Sequence, residues 1–238
     1  MRDHSATPRV DDVRVCRPPR RSSAIVTIIM VSIMAPAPAR ALESYPNERD
    51  ERRNQQAQIW AERGKGAFAA ANYPLAVAAY SELARLKPHD ARVFYNRGLA
   101  RGKAGDGNGA LEDFNEALAL DPNLPEALVN RARLYMSLNR TNDARADLNS
   151  AEALRPRDPA IPFMRGTLYA QSGRLDGAIA EFSRALELDS SHRASFTERG
   201  LVYLKLGQAG PAKKDFESAL RLNPNDAGAR RGLGVLDE

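Results

Sequence analysis

Five arginines stand at 63, 97, 131, 165 and 199, each 34 residues from the next and each followed by glycine or alanine. A repeat of this length copies one supersecondary unit along the chain, and each copy hides its apolar face only against its neighbours. With units counted as 57–90, 91–124, 125–158, 159–192 and 193–226, the other positions fall into line. Position 4 holds Trp60, Phe94, Leu128, Pro162 and Phe196, and position 8 holds Gly64, Gly98, Ala132, Gly166 and Gly200. Position 20 is alanine in every unit, from Ala76 to Ala212. Position 24 is Tyr80, Phe114, Leu148, Phe182 and Phe216, and position 27 is Leu83, Ala117, Ala151, Ala185 and Ala219.

Positions 4-8-11 and 20-24-27 are two apolar stripes at helical spacing. Gly105-Asp106, Gly173-Arg174 and Gly207-Gln208 mark a turn between them. Small residues at 8, 20 and 27 let two helix backbones approach, and the aromatics fill the remaining space. Position 32 is proline in four units (Pro88, Pro122, Pro156, Pro224), which stops the second helix because proline lacks an N–H and clashes with the preceding turn.

On these residues the chain resembles the tetratricopeptide repeat family over about 170 of its 238 residues. The resemblance implies an all-α fold, a right-handed solenoid of antiparallel helix pairs whose first helices line a concave groove. The departures are Pro162 at an aromatic or leucine position, Ser190 in place of proline, and Leu83 at a small position. Unit 4 reads as the least regular, with its first helix starting at Pro162. Residues 225–238 begin a sixth unit too short for a pair and read as a partial capping helix over unit 5; an end repeat otherwise exposes apolar surface. Residues 42–56 are a polar N-terminal extension running into the first helix.

The net charge of +5 invites a nucleic-acid reading, but residues 1–41 hold seven arginines against three aspartates, leaving +1 for 42–238. Nucleic acid is therefore disfavoured as a partner. The N-terminal segment has the layout of an export signal: Arg17-Pro18-Pro19-Arg20-Arg21, the apolar run Ala24 to Ala35, then Ala39-Arg40-Ala41. The run is short for a membrane span, which needs roughly 20 apolar residues. The expectation is cleavage before Leu42 and a periplasmic or extracellular protein with no stable span. An anchor formed by the uncleaved segment is the alternative. The lone Cys16 precedes the apolar run, so cleavage leaves no thiol chemistry.

No catalytic constellation is legible. His89 and His192 follow the second helices of units 1 and 4 and read as solvated loop histidines, and "GKAGDGNGA" (102–110) lacks the preceding strand and Lys-Ser/Thr ending of a phosphate loop. The reading is of a non-enzyme without metal or cofactor.

The arginine at position 7 lies at the edge of the packed stripe, and position 23 flanks the second stripe in the same way with Asp113, Asp147, Glu181 and Asp215. Two helices antiparallel about a turn near position 16 bring 7 and 23 to one height. This predicts a ladder of ion pairs: Arg97–Asp113, Arg131–Asp147, Arg165–Glu181 and Arg199–Asp215. Arg63 faces Ala79 and has no such partner. The small residue beside each arginine leaves room for the guanidinium and the facing helix. Pairing across to the next unit would satisfy three of the four junctions, so the two arrangements stay open.

Positions 2, 5, 9, 12 and 13 of the first helices form the candidate groove. Partner contacts are expected from Phe68, Arg92, Tyr95, Leu99, Lys103, Val129, Arg133, Met136, Phe163 and Thr167. These positions carry five bases (Lys65, Arg92, Lys103, Arg133, Lys205) and one acid, Glu126. The expectation is an exported scaffold that binds a protein or peptide, acidic with an apolar anchor. A structural subunit of an envelope assembly, contacting through its convex face or ends, is the alternative.

Overall fold

The left-handed backbone at position 15 of every unit sets the pairing of the helices. The computed structural model describes residues 48–237, and there Ala71, Gly105, Asn139, Gly173 and Gly207 have φ of 55°, 89°, 56°, 74° and 70°. In each turn the next residue's N–H reaches back five residues to a helix carbonyl, as in Asp106 N to Arg101 O (2.9 Å) and Arg174 N to Tyr169 O (2.8 Å). This closes the first helix and reverses the chain. Glycine adopts the conformation freely in three units, whereas Asn139 and Ala71 adopt it against their Cβ.

Eleven α-helices result among the described residues, with no strand. Five antiparallel pairs follow the repeat: α1 (Glu48–Ala69) with α2 (Tyr73–Leu86), α3 (Ala91–Lys103) with α4 (Gly107–Leu120), and α5 (Pro125–Ser137) with α6 (Thr141–Leu154). Next come α7 (Ala160–Gln171) with α8 (Leu175–Leu188), and α9 (Arg193–Lys205) with α10 (Ala209–Leu222). The closing helix is α11 (Ala227–Asp237). Within the unit formed by residues 46–238, each helix packs on its chain neighbours, and α5 on α7, α7 on α9 and α9 on α11 bring the first helices side by side. The architecture is an all-α right-handed solenoid.

The position-8 glycines serve the aromatics of the second helices rather than the guanidiniums. A Cβ on Gly98 would stand 2.9 Å from the Phe114 ring, and on Gly166 and Gly200 2.7 Å from Phe182 and Phe216. Ring on bare backbone is what brings each pair into contact. Unit 3 keeps the volume constant by another route, pairing Ala132 with Leu148, both at 0% exposure.

Unit 4 starts earlier than expected. Its first helix begins at Ala160, two residues before Pro162, because Pro162 falls within the first helical turn, where the N–H has no intrahelical partner anyway. At the N-terminal end, residues 48–56 are helix continuous with unit 1. They dock on the end of α2: Arg53 Nε donates to the Leu86 carbonyl (2.9 Å), and Lys87 Nζ donates to Asn54 Oδ1 (2.5 Å). Residues 42–47 and the expected export segment 1–41 lie outside the described residues. At the other end α11 buries Ala229 and sets Gly232 where a Cβ would meet the Phe216 ring at 2.3 Å.

Candidate functional site

All four expected arginine–acid pairs lie within ion-pair distance inside their units, and three of them make two-pronged hydrogen bonds. Arg97 Nη2 donates to Asp113 Oδ1 at 2.7 Å, Arg131 Nη2 to Asp147 Oδ1 at 2.7 Å, and Arg199 Nη2 to Asp215 Oδ1 at 2.8 Å, with Nε bonded to the same carboxylate each time. The aspartates are almost fully buried. The same guanidinium also reaches the preceding unit. Arg131 Nη1 donates to Asn115 Oδ1 (2.8 Å) and Arg199 Nη1 to Ser183 Oγ (2.7 Å), both acceptors being position 25. The guanidiniums of Arg63, Arg97 and Arg199 lie over the position-4 rings of Trp60, Phe94 and Phe196, 5.2, 5.3 and 5.8 Å from their centres. Arg63, facing Ala79, is exposed.

Arg165 keeps its expected ion pair with Glu181 but makes its hydrogen bonds elsewhere. Its Nη2 donates to Glu152 Oε2 of unit 3 at 2.6 Å and its Nη1 to Asn149 at 3.1 Å, while Glu181 is left at 3.4 Å from Nε without hydrogen-bond geometry. Glutamate carries its carboxylate one methylene further than the aspartates at this position, which misplaces it for the two-pronged contact. Burial pushes the Glu181 carboxyl above 4.5 against the pull of Arg165 and Arg184.

The first helices carry two depressions side by side. One, between α3 and α5, is lined by Leu99, Lys103, Asn130 and Arg133 over the Phe114 ring. The other, between α5 and α7, encloses about 500 Å³ and is largely apolar, with Met136, Phe163, Met164 and Thr167 as walls and Arg133 and Gln171 at its rim. Arg133 therefore belongs to both. Its Nη1 donates to Asn130 Oδ1 (2.9 Å), and Asn130 Nδ2 donates to the Glu126 carbonyl (2.8 Å) and reaches the Tyr95 hydroxyl (3.4 Å). That chain of bonds orients the guanidinium. Burial, with Glu126 adding to it, pushes the Tyr95 hydroxyl above its ordinary 10.0.

Glu126, the one acid among the expected groove positions, is paired with Arg155 at the end of α6. Of the other expected contacts, Arg92 is exposed on the first turn of α3 and lines neither depression. Phe68 packs edge-on against Tyr73 at 5.6 Å, and Val129 packs against the central core. Tyr95 sets its ring 6.0 Å from Phe114, whose ring lines the first depression, and is not itself among the lining residues.

Position 6 was missed in the sequence. Asn130 and Met164 occupy it in the two depressions, and Glu198 occupies it in a third, between α9 and α11, with Arg193, Thr197 and Asp226. Asp226 accepts from Ala229 N (2.9 Å) and Thr197 Oγ1 (3.2 Å) and is paired with Arg193. Glu198 is half-buried and has no hydrogen-bond or ion-pair partner among the described residues. Burial, with Asp226 adding to it, pushes its carboxyl above 4.5. His192 is likewise not a solvated loop residue: it is half-buried, its Nδ1 lies 2.8 Å from Ser195 Oγ, and its ring is 5.1 Å from that of Phe163. Among the described residues no three His, Cys, Asp or Glu side chains could together hold a metal ion. No described helix is long and apolar enough to cross a membrane.

Helix pairs at a 34-residue period, closed by a left-handed residue and packed ring-on-glycine, define a tetratricopeptide repeat solenoid. Models of that repeat match residues 91–124, 129–193 and 194–226, more than half of the chain, which belongs to the tetratricopeptide repeat family. Comparison with curated proteins gave no match. Among solved structures, a MamA fragment from Desulfovibrio magneticus RS-1 is similar at 20% identity, with a TM-score of 0.65 over 72% of this chain and 97% of that one. A thermophilic tetratricopeptide protein of Thermus thermophilus is similar at 24% identity, with a TM-score of 0.63 over 76% of this chain and 100% of that one. YrrB, described as a tetratricopeptide protein with an unusual peptide-binding site, is similar at 20% identity, with a TM-score of 0.61 over 78% of this chain and 96% of that one.

Proposed function

We propose that this chain is a non-catalytic, exported adaptor that holds a segment of a partner protein in the groove formed by its first helices. The observation that carries this reading is the apolar depression of Met136, Phe163 and Met164 with an oriented arginine, Arg133, at its rim. Such a pair suits a segment with an apolar anchor beside an acidic residue: the pocket desolvates the anchor and the rim charge steers encounter. The peptide-binding site of YrrB, a relative in fold, is consistent with it. The export-signal layout read in residues 1–41 is the basis for setting the encounter outside the cytoplasm, and the charge of +1 over 42–238 argues against nucleic acid.

The test is affinity capture from an envelope fraction with residues 42–238 as bait, beside Arg133→Glu and Ser137→Arg. Both changes are at exposed side chains on the rim. Each variant is expected to lose the captured partner while keeping the parent's melting temperature. Retention of every partner by both variants overturns the groove reading.

A further inference from the structure

The three depressions along the first helices differ in charge. At the α3–α5 end stand Lys103 and Arg133, no acid lines the depression among the described residues, and Glu126, whose carbonyl holds Asn130, is paired with Arg155. The α5–α7 depression is largely apolar, with Arg133 as its one charged lining residue. At the α9–α11 end Arg193, the one base lining the depression among the described residues, is paired with Asp226, and Arg230 at its edge donates to Asn225, which leaves Glu198 as a half-buried carboxylate with no hydrogen-bond or ion-pair partner among the described residues. A carboxylate held this way is costly without a counter-charge. The adjoining Asp226 is also acidic and no side chain of the lining pairs with Glu198, so a cation on what binds there would supply the missing counter-charge.

We propose that the groove is polarised, accepting a partner segment with an acidic residue against Arg133 and Lys103, an apolar side chain in the Met136–Phe163–Met164 pocket, and a lysine or arginine against Glu198. The proposal rests on the groove reading and adds the base and its position to it. Helices packed side by side lie about 8–10 Å apart, so α5 to α9 spans about 16–20 Å. An extended strand rises about 3.3 Å per residue, so acid and base stand about five or six residues apart with the anchor between them. The two ends also exclude competitors: a uniformly acidic segment meets Glu198 unpaired, and a uniformly basic one meets Arg133.

The experiment is an array of ten-residue peptides in a glycine–serine background. Each carries one leucine, with one glutamate and one lysine at every combination of the remaining positions, or two glutamates and no lysine. It is probed with residues 42–238 and with Glu198→Gln and Arg133→Gln. The strongest spots of the parent are expected to carry glutamate and lysine on opposite sides of leucine, at least fivefold above spots with both on one side. Glu198→Gln is expected to erase the preference for lysine and keep that for glutamate, and Arg133→Gln to do the reverse. Equal binding of same-side and opposite-side spots, or of double-glutamate spots, overturns the polarity and leaves the groove reading standing. So does a lysine preference that survives Glu198→Gln. An array on which nothing binds the parent overturns both.

Discussion

Replacing Arg131 by methionine isolates what the repeated arginine does. The guanidinium makes two charge-assisted bonds to Asp147, of 2.8 and 2.7 Å, and one of 2.8 Å to Asn115, and Asp147 is 6% exposed. Methionine keeps much of the stem's packing and strands the carboxylate. Removing one partner of a buried pair costs about 3–5 kcal/mol, whereas replacing both by apolar groups is often close to neutral. The double variant Arg131→Met with Asp147→Leu is therefore expected to be at least about 2 kcal/mol more stable than the single. For a domain of this size 1 kcal/mol moves the melting temperature by about 2–4 °C, so the single variant should melt about 6–20 °C lower. Repeats contact only their neighbours, and hydrogen exchange should place the loss in α5 and α6 and the units flanking them. Arg63→Met is the control, because Arg63 faces Ala79 and strands no acid; its cost should stay below about 1 kcal/mol. Urea titrations of the four proteins of the cycle decide it. Additive losses, or a cost at Arg63 equal to that at Arg131, refute the reasoning.

Ala71→Gly is expected to stabilise by about 1 kcal/mol in urea melts, because it removes the Cβ penalty at φ 55°, while Gly173→Ala at φ 74° should lose a similar amount. Gly166→Ala drives a Cβ to 2.7 Å from the Phe182 ring and is expected to cost about 1–3 kcal/mol, with substantial recovery on adding Phe182→Leu, the combination unit 3 already uses. Glu198 has a folded pKa raised above 4.5, so the folded state holds its proton more tightly than the unfolded state, and its ionisation opposes folding as pH rises through that window. Glu198→Gln should therefore raise stability at pH 7 and lose that advantage below pH 4.5; an advantage that is the same at both pH values contradicts it.

Much of the fold was legible because each repeat position answers a recurring steric demand: a ring at 24 meets glycine at 8 in four units, and the reversal at 15 takes glycine in three. The ring-on-glycine pairing was in the sequence too, since the one unit with alanine at 8 has leucine at 24. The arginine ladder was readable where the acid is aspartate. Unit 4 loosens it through two visible signals, glutamate at position 23 and Glu152 at a position where the other units have Ala84, Leu118, Leu186 and Leu220. The groove was only half legible. Position 6 lies about 20° from position 13 on a helical projection, so Glu62 and Glu198 share the phase of the groove positions and halve the excess of base over acid from +4 to +2. The seat of His192 on Phe163 depends on the path of the α8–α9 connection, which no periodicity encodes.

The central claim is that partners engage the first helices, and site-specific photocrosslinking tests it most directly. A benzophenone side chain at Thr167, on the wall of the apolar depression, is compared with one at Glu217, exposed on α10. Crosslinking to a partner protein from Thr167, suppressed by Arg133→Glu, with none from Glu217, is the predicted result. Crosslinking from Glu217 with none from Thr167 contradicts the groove reading and leaves a structural subunit that assembles through its outer face.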